Sequence, residues 1–267
     1  MFSASKNQIM KIALSYKKEK ISSAYASLIK EKIISYGFEY DEAHPEVVLF
    51  IGGDGTFLRA VHDYLPVIER VKFIGLCKGH LGFFYSYQEN ELDSLLADLK
   101  AGACKEEVHY LLNAKVDDNE IFALNEIRIE SPFHTLISEV LINYDYLETY
   151  RGNGLVVSTS LGSTAYNKSL GGAVIYPQIP SIELSEIAPI NNTAFTSLHS
   201  SLVVDKDSEI VLKTKTEKIL VGYDHLVSEV KLASEIKIKL SDKKVVLLHS
   251  PEYSYTKLLR SKFVGDK

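Results

Sequence analysis

Cysteine is scarce. The 267-residue chain has two, Cys77 and Cys104, apart from each other and from any histidine pair, which argues against a disulfide framework and a zinc site and for a reducing, cytoplasmic home. Long apolar runs are missing too. Val47 to Ile51 is far too short to cross a bilayer, and the first ten residues lack the apolar stretch of a signal peptide, so no membrane partner is expected. Neither sign of charge dominates: the formal net charge is −5, and Lys and Glu mix evenly without a basic stripe to follow a phosphate backbone. No nucleic-acid partner is expected. There is no internal repeat and no low-complexity segment. Neither of the commoner phosphate loops, Gly-x-x-x-x-Gly-Lys and Gly-x-Gly-x-x-Gly, occurs, so a P-loop ATPase and an ordinary dehydrogenase both lose ground.

What is present suits a folded enzyme. An apolar content of 46% is ample for two cores, and the length suggests two domains sharing one cleft. The first nine residues read as an unstructured extension. Lys11 to Ser15 then reads as a strand, and Ile21, Ala24, Tyr25, Leu28, Ile29 and Ile33 as a helical stripe ending near Gly37. Val47 to Ile51 is an apolar strand, Phe57 to Leu65 a helix stopped by Pro66, and Phe73 to Leu76 another apolar strand. Such strands belong in a parallel sheet covered on both faces. A helix over Glu89 to Leu99 stops at Ala101 and Gly102. From there the texture is mainly strands joined by polar turns, including Asp117 to Asn119 and Asn143 to Asp145. Ile236, Ile238 and Leu240 alternate with Lys237 and Lys239, the period of a sheet with one wet face. Tyr253 to Phe263 reads as a short helix too brief to place.

The chemistry-bearing segments lie at strand ends. Gly52, Gly53, Asp54, Gly55 and Thr56 stand between a strand and a helix, where glycines admit a phosphate and the first helical N–H groups point at it. A carboxylate there would repel phosphate unless it took a proton from an attacking hydroxyl or held a metal. The alternative is that Asp54 and Thr56 simply cap the helix. Lys78 to Phe83 is another loop at a strand's carboxyl end, where open α/β sheets bind ligands; Phe83 either stacks on a flat ring or anchors the loop, and His80 reads as structural. Asn125 and Glu126 can accept from ribose hydroxyls and read an adenine edge, but both serve one ligand only at a bulge or strand end; a solvated strand end explains the pair nearly as well. Arg151 to Gly172 runs from a strand into a hydroxyl-rich turn and a helix, with Tyr166 offering a stacking face, a density of small donors suited to a nucleoside.

Taken in order, Gly52-Gly53-Asp54-Gly55, Gly79-His80-Leu81-Gly82-Phe83, Asn125-Glu126 and Gly162 to Ser169 resemble the NAD kinase family, a likeness that extends from about Lys11 to Asp224 and His225. The resemblance implies a phosphotransferase that moves the terminal phosphoryl of ATP onto the adenosine-ribose 2′-hydroxyl of NAD, with a divalent cation, Mg²⁺, in attendance. It also implies an α/β N-terminal domain with a parallel sheet (1–103), a mainly β, sandwich-like C-terminal domain (104–250), a tail (251–267) returning to the first domain, and a homo-oligomer, dimer or tetramer. By position, Asp54 is the proton acceptor, and Gly52, Gly53, Gly55 and Phe83 lie beside nucleotide. Asn125 and Glu126 hold adenosine or its ribose. Arg151, Asn153, Thr164, Ala165, Tyr166, Asn167, Lys168, Ser169 and Ala188 complete the NAD pocket, and Asp224 with His225 forms a late-strand pair; no residue is assigned to a metal.

Two positions depart from the family's usual pattern: Asn153 replaces an aspartate, and Thr159-Ser160 replaces Thr-Pro. The first loses a charge and the second frees the loop backbone. Two rivals stand beside this reading. One is a kinase of a lipid diol or sugar phosphate that shares the glycine and aspartate turn; the other is a non-catalytic NAD(P)-binding regulator.

Overall fold

The computed structural model describes residues 9–79, 82–117, 119–231 and 235–265. The expected extension over the first nine residues falls outside them except for Ile9, as do His80, Leu81 and Asp118. The chain divides into two compact units, Met1–Val108 with Val245–Lys267, and His109–Lys244.

In the first unit β1 (Lys11–Tyr16), α1 (Ser23–Ser35), β2 (Glu39–Tyr40), β3 (Val47–Gly52), α2 (Asp54–Asp63), β4 (Lys72–Cys77), β5 (Tyr87–Gln88) and α3 (Leu92–Ala101) alternate. Strands β2, β1, β3 and β4 pair in that order, all parallel. The chain moves outward from β1 on one side and from β3 on the other, so the crevice at the carboxyl ends of β1 and β3 is a topological switch point, where open sheets of this kind bind ligands. β3 is buried at every position, as an apolar run in a doubly covered sheet must be. Gly75, in the middle of β4, has no room for a side chain: a Cβ would lie 2.6 Å from the Phe50 ring and 2.7 Å from that of Tyr85. That gap lets Phe50, Phe57, Phe73, Phe84 and Tyr85 pack as an aromatic cluster under the α2 face.

Three helical details differ from the sequence pattern. α1 buries Ala26, Ile29 and Ile33, while Ala24 and Leu28 face solvent, because the helix presents only a narrow stripe to the sheet. α2 starts three residues before Phe57, since extended Gly53 lets the chain enter a helix directly from β3. The Glu89 helix begins with a tight 3₁₀ turn over Glu89–Glu91 before α3 and ends on left-handed Gly102, φ +64°.

The second unit is β-rich, formed from β6 (Lys105–Val116), β7 (Asn119–Ala123), β8 (Glu126–Glu130), β9 (Leu136–Ile142), β10 (Asp145–Gly152), β11 (Gly154–Thr159), the one-turn α4 (Tyr166–Ser169), β12 (Ser181–Ile187), β13 (Leu202–Asp205), β14 (Ile210–Thr214), β15 (Lys218–Tyr223), β16 (Leu226–Lys231) and β17 (Ile236–His249). β6 begins, and β17 ends, in the first unit. An antiparallel sheet runs β13-β12-β11-β8-β15-β16. The alternating apolar residues of β8, β11, β12 and β15 pack against those of β6, β9, β14 and β17 in one core that includes Ile127, Leu155, Val221, Ile210 and Ile238. Two sheets sharing a core make this a sandwich. After β17 the chain forms α5 (Tyr255–Leu259) within the first unit, burying Tyr255 and Leu258.

Candidate active site

The turn after β3 answers the question left open for Asp54. Gly53 is the N-cap of α2 with φ −113° and ψ 176°, and no side chain caps the helix. The Asp54 carboxylate turns instead to the loop beyond β4, accepting the N–H of Phe83 at 3.2 Å and that of Phe84 at 3.4 Å. Gly82 makes this approach possible, because a Cβ there would come within 2.1 Å of Asp54 Oδ1. Burial of the carboxyl raises its pKa above the ordinary range; the two N–H groups and the charge of Lys262 oppose that rise. A half-buried carboxylate with a raised pKa is a better proton acceptor than a solvated one.

The glycines of this turn divide by role. Gly52 has φ +148° and a Cβ on it would meet Thr56 Oγ1 at 2.5 Å, so the fold demands glycine. Gly53 and Gly55 are exposed, and a Cβ on either would meet nothing within 4 Å. The fold places no steric demand there; the start of α2 is left as bare backbone that an anion can approach. Phe83 is half-buried with its ring 5.5 Å from that of Phe263, so it is tethered, as the anchor reading has it.

In the second unit Asn125 precedes β8 and Glu126 opens it, the strand end that lets neighbouring side chains serve one site. Asp224 holds them: its carboxylate accepts the N–H of Leu124 at 2.8 Å and of Asn125 at 2.7 Å, and its own N–H donates to the Glu126 carbonyl at 3.1 Å. Asp224 and His225 form the turn between β15 and β16, with Asp224 at φ +49°, a left-handed conformation that aspartate tolerates. Asn125 Oδ1 and Glu126 Oε2 are buried without a hydrogen-bond partner, an arrangement that costs free energy until a donor arrives. They are not solvated: Asn125 is 8% and Glu126 6% exposed. Burial and then the nearby Asp224 charge push the Glu126 carboxyl up to about 7, against the pull of Arg128.

The hydroxyl-rich turn is wired to this pair. Thr159 donates its hydroxyl to the Leu124 carbonyl at 2.7 Å and its N–H to the Asn125 carbonyl at 2.9 Å, while Thr159 Oγ1 accepts the Gly162 N–H at 3.0 Å. A Cβ on Gly162 would sit 2.0 Å from the Asn125 carbonyl oxygen. Ser160, in the place of the usual proline, donates its hydroxyl to the Ile179 carbonyl and lies 3.1 Å from Ser181 Oγ, a tether in place of a ring constraint. Thr164, Ala165 and Tyr166 are half-buried along the turn, and Lys168 and Ser169 are exposed. Asn167 is spent internally: its amide donates to Glu183 at 2.6 Å and accepts the Ser185 hydroxyl at 2.6 Å. The sequence patterns did not single out Arg128, whose guanidinium stands 5.7 Å over the Tyr166 ring.

Arg151, Asn153 and Ala188 do not join that group. β11 pairs Gly154 with Glu130 at one end and Ser158 with Glu126 at the other, so these residues lie about 14 Å from the Asn125 end, at 3.4 Å per residue. Arg151 stacks over Phe195 at 4.3 Å, and exposed Ala188 has φ +46°.

An open parallel sheet whose switch-point turn carries a half-buried aspartate, followed by a β-rich unit with buried unpaired acceptors, defines a nucleotide-dependent phosphotransferase. Residues 4–104 match the family model of the ATP-NAD kinase N-terminal domain and residues 124–250 that of the ATP-NAD kinase C-terminal domain. The chain belongs to the ATP-NAD kinase family. It is 36% identical to NAD kinase 1 of Bacillus cereus over 97% of this chain and 100% of that protein, and 34% identical to the NAD kinase of Leuconostoc citreum over 96% and 99%. Its fold matches an NAD kinase from Archaeoglobus fulgidus solved with ATP (TM-score 0.75, 23% identity, 96% of this chain and 98% of that one). It also matches a yeast NADH kinase solved with NADH (TM-score 0.80, 15% identity, 97% and 88%).

The unpaired acceptor of Glu126 generates a prediction. With its carboxyl moved from 4.5 to about 7, the folded state binds more protons than the unfolded one between those values, so this residue erodes stability as pH rises through the window. Glu126→Gln, without ligand, should be more stable to unfolding than wild type at pH 8, by up to about 3 kcal/mol, and converge with it near pH 4.5. A variant that melts lower at pH 8 would show the carboxylate to be satisfied.

Proposed function

We propose that this protein transfers the terminal phosphoryl group of ATP to the 2′-hydroxyl of the adenosine ribose of NAD, giving NADP and ADP, with Asp54 as proton acceptor. The observation that carries this reading is the raised, N–H-held carboxylate of Asp54 inside a turn otherwise built to receive phosphate. As the 2′-oxygen forms its bond to phosphorus, the hydroxyl proton passes to Asp54, and the bond to the leaving ADP oxygen breaks with its electron pair staying on ADP. The bare N–H groups around Gly53 and Gly55 receive phosphate. Asn125 Oδ1 and Glu126 accept from the ribose or adenine, Tyr166 and Phe83 offer apolar faces, and Thr164, Ala165, Lys168 and Ser169 line the nucleoside side. Asn167, Asp224 and His225 support that side, Asn167 and Asp224 through their internal hydrogen bonds.

Among the described residues no group of three or more His, Cys, Asp or Glu side chains surrounds a metal position, a donor set that suits an ion arriving on the phosphates of ATP. Mg²⁺ entering in this way would be held by phosphate and water, with the Asp54 carboxylate as its one candidate ligand in the turn, and would supply neutralisation of phosphate charge. No helix among the described residues is long and apolar enough to cross a membrane; the scarcity of cysteine, two in the chain, supports a cytoplasmic location. The density of hydrogen-bonding groups around Asn125 favours a nucleoside acceptor over a lipid diol.

We further propose a homo-oligomer, a dimer or tetramer, in which the Arg151 end of one copy faces the nucleoside side of another. The separation along β11 and the exposed Ile190, Phe195 and Leu198 near that end support it. Light scattering on purified protein should report a dimer or tetramer; a strict monomer that turns over NAD would end this proposal.

Wild-type protein with ATP, Mg²⁺ and NAD should give NADP, detected with an NADP-specific dehydrogenase, and excess chelator should abolish it. Asp54→Asn keeps an oxygen for one of the two N–H groups of Phe83 and Phe84, which end on different carboxylate oxygens, and loses basicity, so turnover should drop about 10²- to 10⁴-fold while NAD still binds. Near-normal turnover in that variant would remove the role given to Asp54. Efficient phosphorylation of a diacylglycerol instead of NAD would favour the lipid-kinase rival.

Gly55→Ala separates ligand approach from folding. In open space on a helix it should gain about 0.5–1 kcal/mol of stability, yet lower the affinity for ATP by crowding the phosphate. Unchanged ATP kinetics in a stabilised Gly55→Ala would mean that phosphate does not approach there.

A further inference from the structure

Phosphoryl transfer needs positive charge at the migrating group, because its oxygens carry charge through the transition state. The turn Gly52, Gly53, Asp54, Gly55, Thr56 contains no lysine or arginine. A cation reaches it from the far end of the chain. Beyond α5 the helix widens into a π-helical turn over Arg260–Val264, a geometry that recurs at functional sites. Phe263 in that turn sets its ring 5.5 Å from Phe83, and the Phe83 N–H donates to the Asp54 carboxylate at 3.2 Å. This contact brings the adjacent Lys262 to Asp54, and its charge acts on both Asp54 and the Cys77 thiol at the end of β4, favouring the ionised form of each. Lys262 is half-buried, and among the described residues its ammonium has no ion-pair partner within 4.0 Å. All of these residues belong to the first unit.

We propose that Lys262 is the cation that binds the terminal phosphate of the donor, with Phe263 as the residue that positions it. The proposal rests on the ATP-NAD kinase reading for its substrate. The Lys262 ammonium holds the oxygens of the moving phosphoryl while the ribose oxygen attaches, ADP departs with the bonding pair and Asp54 takes the hydroxyl proton.

Full-length wild type, Lys262→Met, Lys262→Arg and Phe263→Ala are compared in NADP formation at varied ATP and NAD, and in calorimetric titration with inorganic tripolyphosphate. Lys262→Met should lose about 100-fold in kcat/KM for ATP, with the KM for NAD little changed, and should bind tripolyphosphate about tenfold more weakly. Lys262→Arg should recover most of the tripolyphosphate affinity, and Phe263→Ala should show a milder form of the same defect. The acid limb of the rate profile should move to higher pH in Lys262→Met, because Asp54 loses a neighbouring positive charge; the tripolyphosphate affinity is the readout that a lysine acting only on Asp54 or on the fold would not move. Equal tripolyphosphate affinity in wild type and a folded Lys262→Met, or an unchanged kcat/KM for ATP, overturns the proposal. Should wild type make no NADP while tripolyphosphate binding still depends on Lys262, the kinase reading fails and the anion site stands.

Discussion

Two backbone N–H groups, those of Phe83 and Phe84, end on the carboxylate of Asp54, and much of the first unit is arranged around that contact. It joins the turn after β3, at the switch point of the sheet, to the loop after the neighbouring strand β4. It requires glycine at position 82, since any Cβ would collide with the carboxylate. It fixes the backbone of Phe83, whose ring lies 5.5 Å from that of Phe263, and so ties the last described residues of the chain to the glycine-rich turn after β3. A carboxylate left without those donors would be buried and uncompensated, at a cost of a few kcal/mol. Held by them, it stays ionisable.

The second unit uses a buried aspartate in the opposite sense. Asp224 satisfies its carboxylate with the N–H groups of Leu124 and Asn125, and in doing so presents Asn125 Oδ1 and a Glu126 oxygen unpaired. Fixing one acceptor well leaves two others poised. The turn from Thr159 to Gly162 closes over the same backbone with hydrogen bonds that no side chain on residue 162 would allow. Stability is given up at Glu126, where burial and the Asp224 charge resist ionisation, and a ligand that donates to Glu126 restores it. This is the usual relation between a preformed site and the fold that carries it.

Much of this was legible in the chain. The apolar runs of β3 and β4 declared a covered parallel sheet, the Gly-Gly-Asp-Gly turn declared its place between strand and helix, and the alternation of Ile236 and Ile238 declared a sheet with one wet face. Asp54 was the residue to watch, but its hydrogen-bond partners lie about thirty positions on, at Phe83 and Phe84, and backbone donors have no letter in a sequence. The same blindness hid Gly82 and Gly162, whose need for glycine comes from an atom of a distant segment. α1 misled for another reason: a stripe of apolar letters does not say which part of it meets the sheet, and Leu28 stays outside.

By itself, then, the order of residues determined the alternation of elements, the class of sheet, the family and the position of the acid in its turn, because each of these follows from local periodicity or from adjacent letters. Tertiary structure decided what those residues do to one another. It made Asp54 a clasp for a loop rather than a helix cap, made Asp224 a support for Asn125 and Glu126, kept Asn167 for Glu183 and Ser185, and carried Lys262 and Phe263 to the Asp54 turn. Those outcomes depend on burial and on hydrogen bonds across separations of sixteen to about two hundred residues, where the free energy of a contact is set by the surroundings that folding creates.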